Sequence, residues 1–285
     1  MVFIGAHISR DKTLIDTINR IIENGGNALQ IFASNPRSSK ITPLNEKFFG
    51  INPNDIKTLI KNQEFSLVIH NPYIINLSMP YIINKRSIDI KDCYWIKLIL
   101  HELKIADLIG AIGCIIHCGK YTKNSKENGL EIMKTTLDFI IEEIKKQKLK
   151  SKIILETSTG QGTELLSNIQ DFLDFYNSFN KDQKTYFKIC IDTCHIWAAG
   201  YELKDVYELF KENKNLDDIS VIHINNSKNP KNSHLDRHEE ITKGYIDLKE
   251  ILIFLKKISE KNNKITLILE TPNESNIKKE FDLIK

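Results

Sequence analysis

The chain has 285 residues, with 40 Lys and Arg against 37 Asp and Glu and a formal net charge of +3. So even a balance argues only weakly for an anionic partner, although carboxylate ligands at a metal site would cancel a basic rim. With 41% apolar and 27% charged residues the composition is that of an ordinary globular protein, large enough to bury a core without disulfides or oligomerisation. No long apolar run is free of charges, which excludes a membrane span as an expectation.

The first residues, Met1-Val2-Phe3-Ile4-Gly5-Ala6-His7, lack the basic segment and cleavage site of a signal peptide and read as a strand over 2–6. Leu14, Ile15, Ile18, Ile21 and Ile22 then recur at helical spacing, and Gly25-Gly26 supply a stop. Further strands are predicted over 27–32, 65–70, 112–117, 152–156, 187–192, 219–224 and 265–270. Several are near-continuous apolar runs, such as Cys114-Ile115-Ile116 and Ile153-Ile154-Leu155, the pattern of strands covered on both faces of a parallel sheet. Trp95, Ile96, Ile99, Leu100 and Leu103 mark a helix before Gly110, and 127–148, 164–179, 202–213 and 247–261 repeat the theme. No linker divides the chain, so 1–285 reads as one domain. Eight strands alternating with helices predict the α/β class and a closed (β/α)8 TIM barrel, with an open doubly wound sheet as the alternative. The polar segment 226–237 is a long loop, and long loops in compact domains are often functional.

The chemistry-bearing residues sit where these strands end. Strand three ends in His70, strand four in His117, strand five in Glu156 and strand six in Asp192, with His195 just after it. Strand seven carries His223, strand eight ends in Glu270, and the loop after strand seven adds Asp236 and His238. In a parallel barrel all these ends meet at one rim, where active sites form. A lone histidine at a strand end is usually a hydrogen-bonded structural residue. Five of them on one rim, with four carboxylates, form a ligand set for zinc and related divalent ions. Nine ligands exceed the needs of one zinc, whereas three ions sharing a bridging carboxylate would use them.

Other polar residues read more plainly. His101 sits mid-helix as a structural or exposed residue, His234 lies in the polar loop where solvent suits it, and His7 ends strand one at the same rim as a candidate substrate contact. Cys114/Cys118 and Cys190/Cys194 have zinc-finger spacing, but each pair straddles a buried strand end and reads better as packing. The fifth cysteine is Cys93, and an odd count with no secretion signal points to reduced thiols in a cytosol-like compartment. A cytoplasmic monomer is the expectation, with nuclear, organellar and virion settings left open.

Several stretches resemble the endonuclease IV family, the apurinic/apyrimidinic endonucleases of family 2. They are Phe3-Ile4-Gly5-Ala6-His7-Ile8-Ser9, Gln30-Ile31-Phe32 with Asn35-Pro36-Arg37, and His70-Asn71-Pro72-Tyr73-Ile74-Ile75-Asn76-Leu77. Leu155-Glu156-Thr157 with Gly160-Gln161-Gly162-Thr163 belong with them. So do Cys190-Ile191-Asp192-Thr193-Cys194-His195 with Ala198-Ala199-Gly200-Tyr201, and Asp236-Arg237-His238. The resemblance runs to Glu270 and implies a zinc enzyme that cuts DNA 5′ to abasic sites, leaving a 3′ hydroxyl and a 5′ deoxyribose phosphate. Double-stranded DNA with abasic sites or blocked 3′ ends would be the partner. It implies that His70, His117 and Glu156 hold one ion, that Glu156 bridges to a second held by Asp192, His223 and Glu270, and that His195, Asp236 and His238 hold a third. Glu156 and Glu270 would be catalytic, Glu270 by orienting the attacking oxygen. Arg37, Tyr73 and Ile74 match positions that enter the DNA at the lesion, where lost stacking lowers the cost of a wedge.

The chain departs from the family pattern at its loops. Arg10-Asp11-Lys12-Thr13 replaces a Gly pair, Cys118 and Lys120 flank Gly119 where Pro and Ser are common, Asn225-Asn226 replaces Asn-Asp, and Thr242 replaces a Gly. None removes a ligand. Arg10, Lys12, Arg37, Lys40, Lys120, Lys228 and Lys231 are candidate phosphate contacts, of which only Arg37 carries an assignment. Two rivals remain: a metal-dependent sugar isomerase or epimerase on the same kind of barrel, and a non-catalytic DNA-binding scaffold.

Overall fold

In a computed structural model, which describes residues 2–41, 43, 45–83 and 85–285, the predicted strands close on themselves. They are β1 (Phe3–His7), β2 (Ala28–Phe32), β3 (Ser66–His70), β4 (Gly113–His117), β5 (Lys152–Glu156), β6 (Phe187–Asp192), β7 (Ile219–His223) and β8 (Thr266–Leu269). Each pairs in parallel with its sequence neighbour, and β1 pairs with both β2 and β8. The open-sheet alternative is thereby set aside. Register aligns the strand ends: His117 lies opposite Glu156 and Asp192 opposite His223, so these side chains arrive at one rim.

Two apolar layers hold the barrel. Ala28, Val68, Ile115, Ile154, Cys190, Val221 and Ile268, one from each of β2 to β8, pack together inside it. The alternate residues of the same strands, such as Leu29, Ile69, Leu155 and Ile222, face the helices in a much larger cluster. Full burial of each such aliphatic side chain stabilises by roughly 1.5–3 kcal/mol. Gly5 closes the seam: a Cβ there would lie 1.6 Å from the carbonyl oxygen of its partner Ala28, so only glycine lets β1 and β2 pair.

The helices follow local capping. Helix α1 (Leu14–Glu23) starts at a Thr13/Asp16 capping box and buries Leu14, Ile18 and Ile21. Helices α2 (Glu46–Phe49) and α3 (Pro53–Asn62) fill the β2–β3 connection, where the apolar spacing marks no helix. The start of α3 is an Asn52 cap followed by proline at its first position. Helices α4 (Tyr94–Ile109) and α5 (Lys126–Lys146) lie close to expectation. Helix α6 (Ile169–Asn177) begins later than the expected 164, because Leu166 is left-handed at φ 61° and Asn168 caps the helix. A short α7 (Thr193–Ala198) follows β6 directly, capped by Asp192. Then come α8 (Leu203–Glu212), α9 (Leu248–Lys261) and α10 (Ile277–Ile284). The polar segment after β7 is not wholly loop: Asn226–Ser227 pairs antiparallel with His238–Glu239, closing it into a ribbon that carries Asp236 and His238 to the rim. Among the described residues, no helix is long and apolar enough to cross a membrane.

Candidate metal centre

All nine expected ligands converge at the C-terminal rim of the barrel. His70, His117 and Glu156 offer ligand atoms within 4.8 Å of one another, as do Glu156, Asp192, His223 and Glu270, and as do His195, Asp236 and His238. Glu156 belongs to two groups through different oxygens. Its Oε2 lies 3.4 Å from His70 Nε2 and 3.7 Å from His117 Nε2, while its Oε1 lies 3.1 Å from His223 Nδ1. Asp236 reaches His195 Nε2 at 3.4 Å and His238 Nε2 at 3.0 Å.

Second contacts fix which nitrogen each ring presents. His70 Nδ1 donates to the Asn71 carbonyl at 2.7 Å and His195 Nδ1 to the Thr157 carbonyl at 2.8 Å, leaving both Nε2 lone pairs for the cluster. His223 is held the other way, with Nε2 against Gln30 Oε1 at 2.8 Å, so its Nδ1 faces the carboxylates. Asn225 Nδ2 donates to Asp192 Oδ2 at 2.7 Å and to Glu270 Oε2 at 3.2 Å. Its Oδ1 accepts the Glu270 backbone N–H at 3.0 Å. Gln30 and Asn225 thus position the ligands, a role that the linear sequence did not display. Polar residues inside otherwise apolar strand ends are the available signal.

These residues fit bound cations. Glu156 Oε2, His195 Nε2 and His238 Nε2 are buried and make no aligned hydrogen bond, although Asp236 lies close to both rings and buried polar atoms are nearly always satisfied. Charge points the same way. Burial pushes the Glu156 carboxyl up, yet the surrounding histidines, His117 and His223 foremost, hold it well below the carboxylate range. Burial pushes His238 down, but Asp192 and Asp236 outweigh it and raise the imidazolium to about 9. His195 is likewise raised well above its ordinary value by Asp192 and Asp236 against burial. Among the histidines, His195, His223 and His238 are thus held protonated by the facing carboxylates, whereas burial lowers His117; divalent ions bound here would displace those protons.

The remaining candidates divide. Tyr73 is 58% exposed above the centre, its ring edge-on to Phe32 at 5.1 Å and 5.7 Å from the His70 ring. Ile74 is partly buried beside it, and Arg37 is exposed on the loop after β2. His7 Nδ1 meets Glu270 Oε1 at 3.1 Å and Gln30 Nε2 at 2.9 Å, so it also supports a candidate ligand. His234 is exposed but tied through Nδ1 to the Thr159 carbonyl at 2.8 Å. All five cysteines are buried free thiols, in line with packing. Cys194 alone also lies within ligand distance of Asp192 and His238.

Residues 18–285 match the model of a family described as the xylose isomerase-like TIM barrel. A probable endonuclease 4 of Clostridium botulinum is 32% identical over 294 residues, covering 100% of this chain and 98% of its own. One from Metamycoplasma arthritidis is 33% identical over 282 residues, covering 95% and 94%. Among solved structures, endonuclease IV of Thermus thermophilus superposes with a TM-score of 0.76 at 20% identity, covering 99% of this chain and 97% of its own. A D-tagatose 3-epimerase-like protein superposes with 0.72 at 19% identity, covering 99% and 95%. At such identities the two superpositions speak for the barrel alone.

Proposed function

Because this chain belongs to the endonuclease IV family, hydrolases that act as nucleases in DNA repair, we propose that it hydrolyses the phosphodiester bond 5′ to abasic sites with a zinc cluster. The cut leaves a 3′ hydroxyl and a 5′ deoxyribose phosphate, and the same geometry serves to clear blocked 3′ ends. The observation that carries this reading is the set of three adjacent ligand groups, two of which share Glu156.

His70, His117 and Glu156 would hold one ion, Glu156, Asp192, His223 and Glu270 a second, and His195, Asp236 and His238 a third. When bound, closely spaced divalent ions supply a nucleophile near neutral pH, neutralise phosphate charge and stabilise the leaving oxygen. Glu156 joins the first two groups by facing each with a different oxygen. Glu270 keeps Oε1 on Gln30 and His7 and turns Oε2 toward His223 and Asn225; from there it orients the attacking water. Tyr73 and Ile74, standing over the centre, wedge into the duplex where a base is missing, and Arg37 grips the strand beside them. Duplex DNA is the partner, and the chain works as a monomer.

A sugar epimerase reading has one observation in its favour: the group Glu156, Asp192, His223 and Glu270 would by itself suit a single ion. It leaves His195, Asp236 and His238 without a task. The two readings part in one experiment. Zinc-loaded protein without magnesium is given a duplex oligonucleotide bearing one abasic site and, separately, a panel of ketohexoses. The proposal expects a single cut 5′ to the lesion and no sugar conversion. Intact DNA with epimerised sugar would replace it with the rival.

A further inference from the structure

Beside the metal-ligand groups lies a second cavity of about 270 Å³, bordered by Tyr73, Asn76, His117, Lys120, Glu164 and Asp236. Two of these six are expected metal ligands. Arg237 also lines it, its guanidinium turned back to donate to the Asp236 carbonyl; Lys120 is the other long cation, at a position where the family commonly carries serine.

Its backbone is held on several sides. The Lys120 N–H donates to Asn76 Oδ1 at 2.8 Å, and Asn76 Nδ2 donates to the Lys120 carbonyl at 2.9 Å. Lys120 also forms an antiparallel bridge with Glu164, and Leu165 N–H donates to the Gly119 carbonyl at 2.8 Å. Gly119 lets this turn press against the loop after β3, since a Cβ there would lie 2.0 Å from Ser78 Oγ. The side chain is 50% exposed, and its ammonium meets Glu164 Oε1 at 3.1 Å. Glu164 is itself anchored: its Oε2 accepts from Ser158 and Thr159 hydroxyls at 3.0 and 2.8 Å and from the Gln161 N–H at 3.0 Å. An ammonium has three donors, and Glu164 is its one partner among the described residues. A fixed backbone thus carries a cation with unspent donors at the edge of the proposed cutting centre.

We propose that Lys120 binds a backbone phosphate of the DNA, making this cavity an anion subsite beside His117 and Asp236. This rests on the nuclease reading above, because phosphodiesters are the anions a duplex would bring to this rim. Contacts of this kind fix register and carry a salt dependence of about one released ion each.

The test is binding of a fluorescent duplex with one abasic site to full-length, zinc-loaded protein. The background is Glu270→Gln, chosen to stop turnover, and anisotropy is followed between 50 and 200 mM salt. Lys120→Gln should weaken binding roughly tenfold at the lowest salt and flatten the slope of log Kd against log salt by about 0.9. Lys120→Arg should restore both. If Lys120→Gln shifts the melting temperature but leaves affinity and slope unchanged, the residue merely braces the turn and the subsite is refuted. If the wild-type, zinc-loaded protein neither binds nor cuts the abasic duplex, the nuclease reading fails and the subsite falls with it.

Discussion

Glu102 offers a test of how the barrel supports its rim. It is fully buried in α4. One oxygen accepts from the Ser34 hydroxyl, while Oε2 has no hydrogen-bond partner. Burial raises this carboxyl from its ordinary 4.5 to about 7, against the lowering effect of Ser34. At 1.36 kcal/mol per decade, that difference is worth about 3 kcal/mol. The folded state binds the proton more tightly than the unfolded state. The contribution to stability is therefore complete below the unfolded value and fades as pH rises through about 7. Chemical denaturation at pH 5 and pH 8.5 should show the protein losing about 2–3 kcal/mol of this contribution across the interval. Glu102→Gln, which cannot ionise, should lose that part of the pH dependence and be the more stable protein at pH 8.5. Identical pH profiles for the two proteins would refute the reasoning. Because Ser34 opens the loop that leads to Arg37, the same substitution reports whether that loop depends on the buried contact.

Three further outcomes are expected from the same geometry. Gly5→Ala should cost the upper end of roughly 1–3 kcal/mol or prevent folding, since its Cβ would meet the Ala28 carbonyl at 1.6 Å; thermal melting gives the answer. Zinc uptake at pH 7.5 should release at least one proton, because His238 titrates at about 9 without ions. Calorimetry in buffers of different ionisation enthalpy measures this, and affinity should rise with pH toward that value. Asn225→Ala removes the donor shared by Asp192 and Glu270; zinc affinity by competition with a chelating dye should fall roughly 10- to 100-fold while the fold persists.

Much of this architecture can be read in the linear chain because burial on both faces leaves uninterrupted apolar runs. Ile153-Ile154-Leu155 is one, with Ile154 turned into the barrel and its neighbours turned out to the helices. The ligands are legible because a histidine or carboxylate abruptly ends such a run, as His117 and Glu156 do. Helix α3 escaped because its signal is a cap and a proline, with only Ile56 and Ile60 buried on one face. Starting the helix after β5 at 164 takes rim residues for helix: 164–168 instead tie to the Lys120 turn and to the α6 cap. The supporting network of Gln30, Asn225 and His7 joins residues as far apart as Gln30 and Glu270, so only barrel closure reveals it.

The most direct test of the nine-residue centre is the number and position of zinc ions in crystals of the loaded protein, located by anomalous scattering at the zinc edge. The account predicts three sites per chain: one bounded by His70, His117 and Glu156, one by Glu156, Asp192, His223 and Glu270, and one by His195, Asp236 and His238. A single site on Glu156, Asp192, His223 and Glu270, with the other residues paired only to one another, would contradict it.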